Sequence, residues 1–417
     1  MNNLLARHHS PLTHLAKFAR RTMSTRSVQV TQPARPVQAP AFYQTKPPPH
    51  HNPNGAGFRL PWPSATLNGL LGFLKARMFD WEDAPLDPNN LPDVSQCDWK
   101  PQSSAVGADD ILFTWIGHAG CHVRMPLKSS GSDSPAYLSI LTDPVLSKRC
   151  SPSQYIGPAR YTDTPTSITA MAESEEAGVW PDLLVFSHNH YDHLDYDTVK
   201  AILNPPSPSK SPPHILCTLG VAAFFHSMGV KKENITELDW WDSRQLNFPG
   251  SASVQVTCVP AQHFSGRGLL DRNKTLWAGF TFECEGKKFY FAGDTGYRNV
   301  SRGMTREQED AQPCCPAFKE IGDLLGPFDL SAIPIGAYLP RSFMSTIHMA
   351  PRDSVRAHKE VKSKKSIGIH WGSFRLTPED VNEPPKHLKE EAERIGLAED
   401  EFIVMKIGET RAFPTSV

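Results

Sequence analysis

Residues 185–197 read VFSHNHYDHLDYD, a stretch in which three histidines and three aspartates follow a short apolar run. The run DLLVFS, which ends just before His188, predicts a buried strand. The polar cluster therefore begins where a strand ends. It is either a solvated acidic loop or half of a metal site whose other half lies elsewhere in the chain.

Three later apolar runs end in the same way. VQVTCVPAQ leads to His263, KKFYFAG leads to Asp294 and KKSIGI leads to His370. Loops at the carboxyl ends of neighbouring strands meet at one edge of the sheet in layered α/β folds. We therefore predict that these three residues share one site with His188.

The residue types suit a pair of metal ions, because imidazole and carboxylate are ligands for zinc and for related metals such as iron or manganese. Two residues apart in extended backbone, His188 and His190 can project their rings the same way. The predicted arrangement is one ion on His188, His190 and His263, a second on Asp192, His193 and His370, and Asp294 bridging them. Such a set, with three ligands at three later strand ends, argues against the solvated loop.

The bulk composition indicates a globular protein. A hydrophobic content of 39% over 417 residues is enough for a packed core. The formal net charge of −1 gives no support to a nucleic-acid binder. No apolar stretch reaches the roughly 18–20 residues that a membrane-spanning helix needs. The eight cysteines are scattered and form no CxxC motif. We therefore interpret them as reduced thiols.

Beyond these patterns, the sequence resembles a known family. SHNHYDHLD is similar to the signature of the metallo-β-lactamase superfamily. Longer blocks, among them LTDPVLSKRCSPSQYIGPARY, ELDWWD, FAGDTGY and IHWGSF, are similar to the N-acylphosphatidylethanolamine-hydrolysing phospholipases D. The resemblance begins near Asp110 and holds more loosely from Pro61. The insertion 298–315 and the N-terminus depart from the family pattern.

The resemblance implies an α/β fold, a four-layer αββα metallo-β-lactamase sandwich over residues 106–417 with an N-terminal extension. It implies two Zn²⁺ per chain on the seven ligands named above. The implied reaction hydrolyses a phospholipid, N-acylphosphatidylethanolamine, to N-acylethanolamine and phosphatidic acid through a hydroxide that bridges the metals. Asp294 is then a catalytic residue as well as a ligand.

Three further residues are assigned with an alternative beside each. His348 lies where the family has a histidine near the substrate, which implies phosphate contact or protonation of the leaving group; otherwise it is a surface histidine. Asp143, in LTDP, either hydrogen-bonds a metal-binding histidine or forms a turn before Pro144. Tyr191 either lines the substrate pocket or packs.

Four aromatic residues are predicted to be structural. We place His118 and His122 on an early strand, outside the metal site. Trp240 and Trp241 are interpreted as core or interface residues.

The N-terminal residues have an unusual charge pattern. No Asp or Glu precedes Asp80, while arginines and leucines alternate over the first thirty residues. This pattern is typical of a mitochondrial transit peptide, and we predict one over residues 1–30; the alternative is a disordered basic tail in a cytoplasmic or other membrane-associated protein.

Residues 31–105 are predicted to form a flexible Pro-rich linker followed by an amphipathic, membrane-facing extension. Leu70, Leu71, Phe73 and Leu74 are expected to enter the membrane interface beside the pocket. Docking of the same helix on the parent domain is the alternative. We therefore expect a membrane surface as a peripheral partner.

The same ligand set serves other hydrolases. A thioesterase or lactonase of the superfamily is the main alternative function, and a nucleic-acid phosphodiesterase is less favoured because dense basic patches are few. We expect no nucleic-acid partner. The sequence leaves a homodimer open.

Overall fold

The computed structural model describes residues 28–66, 69–101, 106–128, 136–249, 252–268 and 270–415, apart from the side chains of Leu70 and Phe73. Within these ranges the strands are β1 (Gln29–Thr31), β2 (Ile111–Gly117), β3 (Gly120–Leu127), β4 (Ala136–Thr142), β5 (Leu183–Phe186), β6 (His214–Thr218), β7 (Ile235–Leu238), β8 (Ser243–Asn247), β9 (Ser253–Val259), β10 (Gly279–Cys284), β11 (Lys287–Phe291), β12 (Leu330–Pro334), β13 (Ser366–Ile369), β14 (Phe402–Ile403) and β15 (Thr410–Phe413).

The α-helices of the described ranges are α1 (Leu70–Phe79), α2 (Ile168–Glu173), α3 (Tyr196–Leu203), α4 (Ala222–Ser227), α5 (Arg306–Asp310), α6 (Ala317–Leu324), α7 (Arg341–Met344), α8 (Pro351–Glu360) and α9 (Glu383–Arg394). Short 3₁₀ helices occur at Ala41–Gln44 and Lys232–Asn234.

The strands form two mixed sheets. One has the order β15-β2-β3-β4-β5-β6-β7, and the other has the order β1-β8-β9-β10-β11-β12-β13-β14. Strands β4 to β7 are parallel in the first sheet, as are β11 to β14 in the second. Helices pack on the outer face of each sheet, which confirms the predicted αββα sandwich.

Strand β5 shows why its sequence, LLVF, is apolar throughout. Leu183 and Val185 belong to the core that contains residues of both sheets. Leu184 and Phe186 point the other way and pack with residues of α3 and α4. Successive side chains of a strand face opposite sides, so a strand covered on both faces needs an unbroken apolar run.

Strand direction brings the carboxyl ends together. β9 and β11 are both antiparallel to β10, and β11 is parallel to β12, which is parallel to β13. Strands β9, β11 and β13 therefore run the same way and end at one edge. The loops that carry His263, Asp294 and His370 begin there.

Residues 28–66, called the strap below, differ from the predicted flexible linker. Strand β1 pairs antiparallel with β8 at the sheet edge. Tyr43, Phe58 and Trp62 are buried against the domain. The Pro-rich composition indicated flexibility, but these three aromatic side chains remove enough apolar surface from water to fix the segment.

The insertion 298–315 is anchored by ion pairs. Glu309 contacts Arg341 at 3.3 Å and Arg352 at 2.8 Å, while Asp310 contacts Arg352 at 2.6 Å. Arg341 lies on α7 and Arg352 lies on α8, the helices on either side of the loop that carries His348. The insertion therefore packs against the segment that positions His348.

Helix α1 is present where the apolar stripe predicted one. Leu71 and Leu74 are exposed, as are Met78 and Phe79, whereas Ala76 is buried. The side chains of Leu70 and Phe73 lie outside the described part, and so do residues 1–27 of the predicted transit peptide. In the described ranges we find no helix with the length and apolar character needed to cross a bilayer.

Candidate metal centre

The seven predicted ligands converge at one edge of the sandwich. His188 follows β5, His263 follows β9, Asp294 follows β11 and His370 follows β13. Side chains separated by 182 positions of sequence thereby become neighbours, with His188 and His370 each only 1% exposed.

The first cluster consists of His188, His190 and His263. Nε2 of His188 lies 2.8 Å from Nδ1 of His190, and Nε2 of His263 lies 3.3 Å from the same nitrogen. Ligand atoms about 2.0–2.1 Å from a tetrahedral zinc ion are about 3.3 Å apart. The three nitrogens therefore have the spacing of ligands to one ion.

The second cluster consists of Asp192, His193 and His370. Oδ2 of Asp192 lies 3.6 Å from Nε2 of His193 and 3.6 Å from Nε2 of His370. A fourth side chain, His118, lies 2.9 Å from the same oxygen through its Nε2. The four side chains offer ligand atoms that all lie within 4.8 Å of one another.

Asp294 lies between the clusters. Its Oδ2 is 3.6 Å from Nε2 of His263 and 2.9 Å from Nε2 of His193, and its Oδ1 is 3.1 Å from Nε2 of His370. One carboxylate thus reaches both groups, which is the placement that a bridging ligand needs.

Buried atoms without hydrogen bonds identify where a cation fits. Among the described residues, His193 Nε2, His370 Nε2 and Asp294 Oδ1 are buried and accept or donate no hydrogen bond. An unsatisfied buried polar atom costs about 1–3 kcal/mol. Metal coordination at these atoms removes that cost, so the donor set fits divalent metal ions.

The protonation states of the first cluster favour coordination. Burial lowers the pKa of His190 to about 3 and the pKa of His263 to about 4, and it holds the pKa of His188 well below its usual value. These rings are neutral at physiological pH. A neutral imidazole has the free lone pair that binds a metal.

In the second cluster, burial and neighbouring charges shift the pKa values in opposite directions. Burial raises the pKa of Asp294, but His193 and His370 beside it hold that pKa well below its usual value. Burial likewise lowers the pKa of His370, but Asp294 and Asp192 raise it to about 9. The carboxylates are ionised, and a cation that binds here displaces the imidazole proton of His370.

Outer contacts orient the metal-facing side chains. His193 donates through Nδ1 to Asp143 Oδ2 at 2.7 Å, and Ser187 N donates to Asp143 Oδ1 at 2.8 Å. His263 donates through Nδ1 to the carbonyl oxygen of Ile347 at 2.8 Å. The bonds from His193 and His263 each fix a ring so that its Nε2 faces the centre.

The backbone at the centre is locally strained. His118, Asp143 and His370 have φ values of 54°, 35° and 63°, in the region that non-glycine residues seldom occupy. The N–H of His370 donates to the carbonyl of His118 at 2.9 Å, which ties two of these residues together. Strain of this kind persists where surrounding structure enforces it, often at functional sites.

The comparisons with known proteins agree with this geometry. The model of the beta-lactamase superfamily domain matches residues 139–371. An N-acyl-phosphatidylethanolamine-hydrolyzing phospholipase D of Caenorhabditis elegans is 37% identical over 306 residues, covering 72% of this chain and 75% of that protein.

The chain belongs to the N-acyl-phosphatidylethanolamine-hydrolysing phospholipase D family of the β-lactamase superfamily. Membership makes it a metal-dependent hydrolase, as predicted.

A mitochondrial member of this phospholipase D family from Saccharomyces cerevisiae is 31% identical over 277 residues, covering 66% of this chain and 52% of that protein. Among solved structures, an isothiocyanate hydrolase from Delia radicum gut bacteria is 19% identical, with a TM-score of 0.47, and covers 72% of this chain and 99% of that chain.

The structure corrects the position predicted for His118. It lies in the turn between β2 and β3, not on a strand, and its ring centroid is 3.9 Å from that of His370. The signal was present, because His118 directly follows the apolar run ILFTWIG just as His370 follows KKSIGI. The residues that follow it, AGCHV, do not resemble a metal-ligand motif.

His348 and Tyr191 occupy different surroundings in this phospholipase D family member. His348 is buried, with its Nε2 3.9 Å from Asp294 Oδ2, so it faces the centre and is not a surface histidine. Tyr191 is half-buried, and the guanidinium carbon of Arg267 lies 3.9 Å from its ring centroid. Tyr191 therefore packs against Arg267.

The remaining aromatic predictions agree with the structure. His122 lies on β3 and is buried, with its Nε2 2.8 Å from the carbonyl oxygen of Val179. Trp240 and Trp241 are core residues with 5% and 4% exposure.

Proposed function

We propose that the protein is a zinc-dependent phospholipase D that hydrolyses N-acylphosphatidylethanolamine to N-acylethanolamine and phosphatidic acid. Two Zn²⁺ ions are proposed, one on His188, His190 and His263 and the other on Asp192, His193 and His370, with Asp294 bridging. Family membership supports the substrate. The position of Asp294 between the two clusters is the observation that carries the two-metal arrangement.

When bound, the ions supply Lewis acidity toward the phosphodiester and a nucleophile made from water at neutral pH. The chain's own residues set where this happens. Asp294 and Asp192 keep their negative charge in a buried site, which concentrates cations at the sheet edge. Asp143 holds the ring of His193 and thereby the orientation of the second cluster.

His348 is proposed to contact the substrate. Its Nδ1 is buried without a hydrogen-bond partner among the described residues, and its ring centroid lies 5.0 Å from that of His263. Burial holds its pKa well below the usual value. A neutral imidazole here can donate one N–H to a phosphoryl oxygen or to the departing ethanolamine oxygen.

The substrate is a bilayer lipid, so the protein is proposed to bind membranes peripherally. The exposed α1 residues Leu71, Leu74, Met78 and Phe79 form an apolar surface that also carries Lys75. Asp80, directly after α1, accepts a hydrogen bond from Ser342 Oγ on α7 at 2.6 Å. The apolar surface is thus joined to the helix that leads to His348.

The membrane is proposed to be mitochondrial. The acid-free, Arg-rich residues 1–30 and the mitochondrial relative in yeast support this location. A fluorescent fusion of residues 1–35 is expected to enter mitochondria; diffuse cytosolic fluorescence contradicts the proposal.

One assay tests the reaction. Purified protein is offered N-acylphosphatidylethanolamine, a thioester and RNA in parallel, with and without chelator, and the products are identified by mass spectrometry. The expected result is N-acylethanolamine and phosphatidic acid from the lipid alone, lost on chelation and restored by Zn²⁺. Turnover of the thioester alone establishes the alternative hydrolase, and turnover that survives complete metal removal refutes the mechanism.

A further inference from the structure

The strap and the catalytic domain together form a second cluster of metal-binding side chains. His50 Nε2 lies 2.7 Å from Asp239 Oδ1, and His51 Nε2 lies 2.8 Å from Asp239 Oδ2. The ligand atoms of these three residues all lie within 4.8 Å of one another. None of the three is among the ligands of the candidate metal centre.

Each of the two imidazoles also contacts an aromatic ring. His50 stacks on Trp240, with ring centroids 4.3 Å apart and planes 23° apart. His51 meets the ring of Phe58 edge-on, with centroids 5.0 Å apart. These aromatic contacts help to hold both rings with their Nε2 atoms directed at one carboxylate.

The pair of histidines resembles a pair already described. The ring centroids of His50 and His51 are 4.6 Å apart at an interplanar angle of 79°. The corresponding values for His188 and His190 are 4.5 Å and 81°. The two pairs therefore have nearly the same distance and angle between their rings.

One side of the His50, His51 and Asp239 cluster is exposed to solvent. The His50 side chain is 1% exposed, whereas those of His51 and Asp239 are 28% and 20% exposed. Two imidazoles and one carboxylate suit zinc and similar divalent ions, with water in the remaining position. Solvent can supply that water from the open side.

We propose that His50, His51 and Asp239 bind a divalent cation of the zinc class, at a site separate from the candidate metal centre. Since both histidines belong to the strap and Asp239 directly follows β7, this ion fastens the strap to the catalytic domain. The site is structural and does not depend on the lipid reaction proposed above.

The fastened strap reaches the catalytic edge. Ser64 Oγ donates to Gln262 Oε1 at 2.7 Å, and Gln262 Nε2 donates to the carbonyl oxygen of Thr346 at 3.0 Å. Gln262 precedes His263, and Thr346 lies two residues before His348. An ion at His50, His51 and Asp239 therefore stabilises the loops that carry both of these histidines.

The proposal is tested by measuring how many zinc ions each protein variant binds. The full chain, without an affinity tag that contains histidine, is stripped, reloaded with excess Zn²⁺, desalted and measured by inductively coupled plasma mass spectrometry. We expect His51→Gln and Asp239→Asn each to hold one equivalent less than the unmodified protein. His226→Gln, which removes an exposed histidine elsewhere, is the matched control and should lose none.

Equal zinc content in the unmodified protein, His51→Gln and Asp239→Asn overturns the proposal and leaves a hydrogen-bonded His–Asp–His contact in its place. Should a variant fold poorly, crystals of the unmodified protein provide the second measurement. An anomalous difference peak at the zinc absorption edge is expected between His51 and Asp239, and a map without that peak also overturns the proposal. Neither measurement uses lipid turnover, so failure here is distinguishable from failure of the proposed function.

Discussion

Nδ1 of His193 lies 2.7 Å from Oδ2 of Asp143, and both side chains are completely buried. Asp143 directly follows β4 and His193 lies in the loop after β5, so the contact joins two neighbouring parallel strands at the metal edge. It also determines which nitrogen of His193 faces the centre. Metal affinity should therefore depend on a residue that touches no metal.

Replacing Asp143 tests this dependence. Asp143→Asn removes the negative charge that orients the His193 ring, and we expect metal affinity to fall about 10- to 100-fold, with activity falling in proportion. Affinity is measured by competition with a chromogenic chelator. Asp197→Asn, an exposed residue on α3, is the control; equal affinities in the two variants contradict the role given to Asp143.

His118 should position Asp192. His118→Phe keeps the ring packing against His370 but removes the hydrogen bond to Asp192 Oδ2, so one metal equivalent should bind about 10- to 100-fold more weakly. His118→Gln, which keeps a donor, should restore part of that affinity. The measurement is stepwise metal titration followed by mass spectrometry of the intact protein. Normal binding of both equivalents by His118→Phe shows that Asp192 needs no such support.

Most positions of the candidate metal centre could be predicted from the sequence. Hydrophobic runs that end in a ligand predicted the positions of His188, His263, Asp294 and His370, because a strand end fixes where the next side chain begins. The same rule also identifies His118, which directly follows ILFTWIG. The ordered strap was not predictable, because the burial of Trp62 depends on Trp240, whose ring centroid lies 5.3 Å away in the fold but 178 positions away in sequence. No local pattern reports such a contact.

The ion pairs that hold the insertion should contribute to stability. Arg298 Nε lies 3.0 Å from Asp353 Oδ1, and both side chains are almost inaccessible. Arg298→Met leaves Asp353 with Arg341 as its remaining ion-pair partner, at 2.8 Å. Because that partner remains, we expect the free energy of unfolding to fall by about 1–3 kcal/mol, less than for a buried charge left without any partner. Lys389→Met, which removes an exposed pair with Glu393, should cause no measurable change in urea unfolding.

Stability should decrease in mild acid. Burial lowers the pKa of His214 to about 4 and of His358 to about 4, against about 6.5 in an unfolded chain. Between pH 6.5 and 4 the unfolded state therefore binds more protons, and stability is lost as the pH falls through that range.

The measurement is the pH dependence of urea unfolding. His214→Gln should reduce its slope by about one proton, because that group no longer titrates differently in the two states. A slope unchanged by the substitution refutes the assignment to His214.

The exposed residues of α1 should mediate binding to vesicles. Leu71→Asp with Leu74→Asp places two charges on the apolar surface and is expected to weaken vesicle binding at least tenfold while metal content stays the same. Vesicle flotation gives the measurement. Leu324→Asp replaces a leucine that is 46% exposed on α6, compared with 49% for Leu74, and should bind vesicles normally. Undiminished flotation of the α1 variant contradicts the proposed membrane contact.

The pairing of β1 with β8 limits how the amino terminus can be processed. β1 covers the outer hydrogen-bonding edge of the larger sheet, and an uncovered edge is a template for aggregation with other chains. The transit peptide proposed above, residues 1–30, includes Gln29 and Val30 of β1, so only cleavage before Gln29 would leave this cover in place. Cleavage beyond Thr31 strips it away, so a mature enzyme trimmed that far should self-associate through β8.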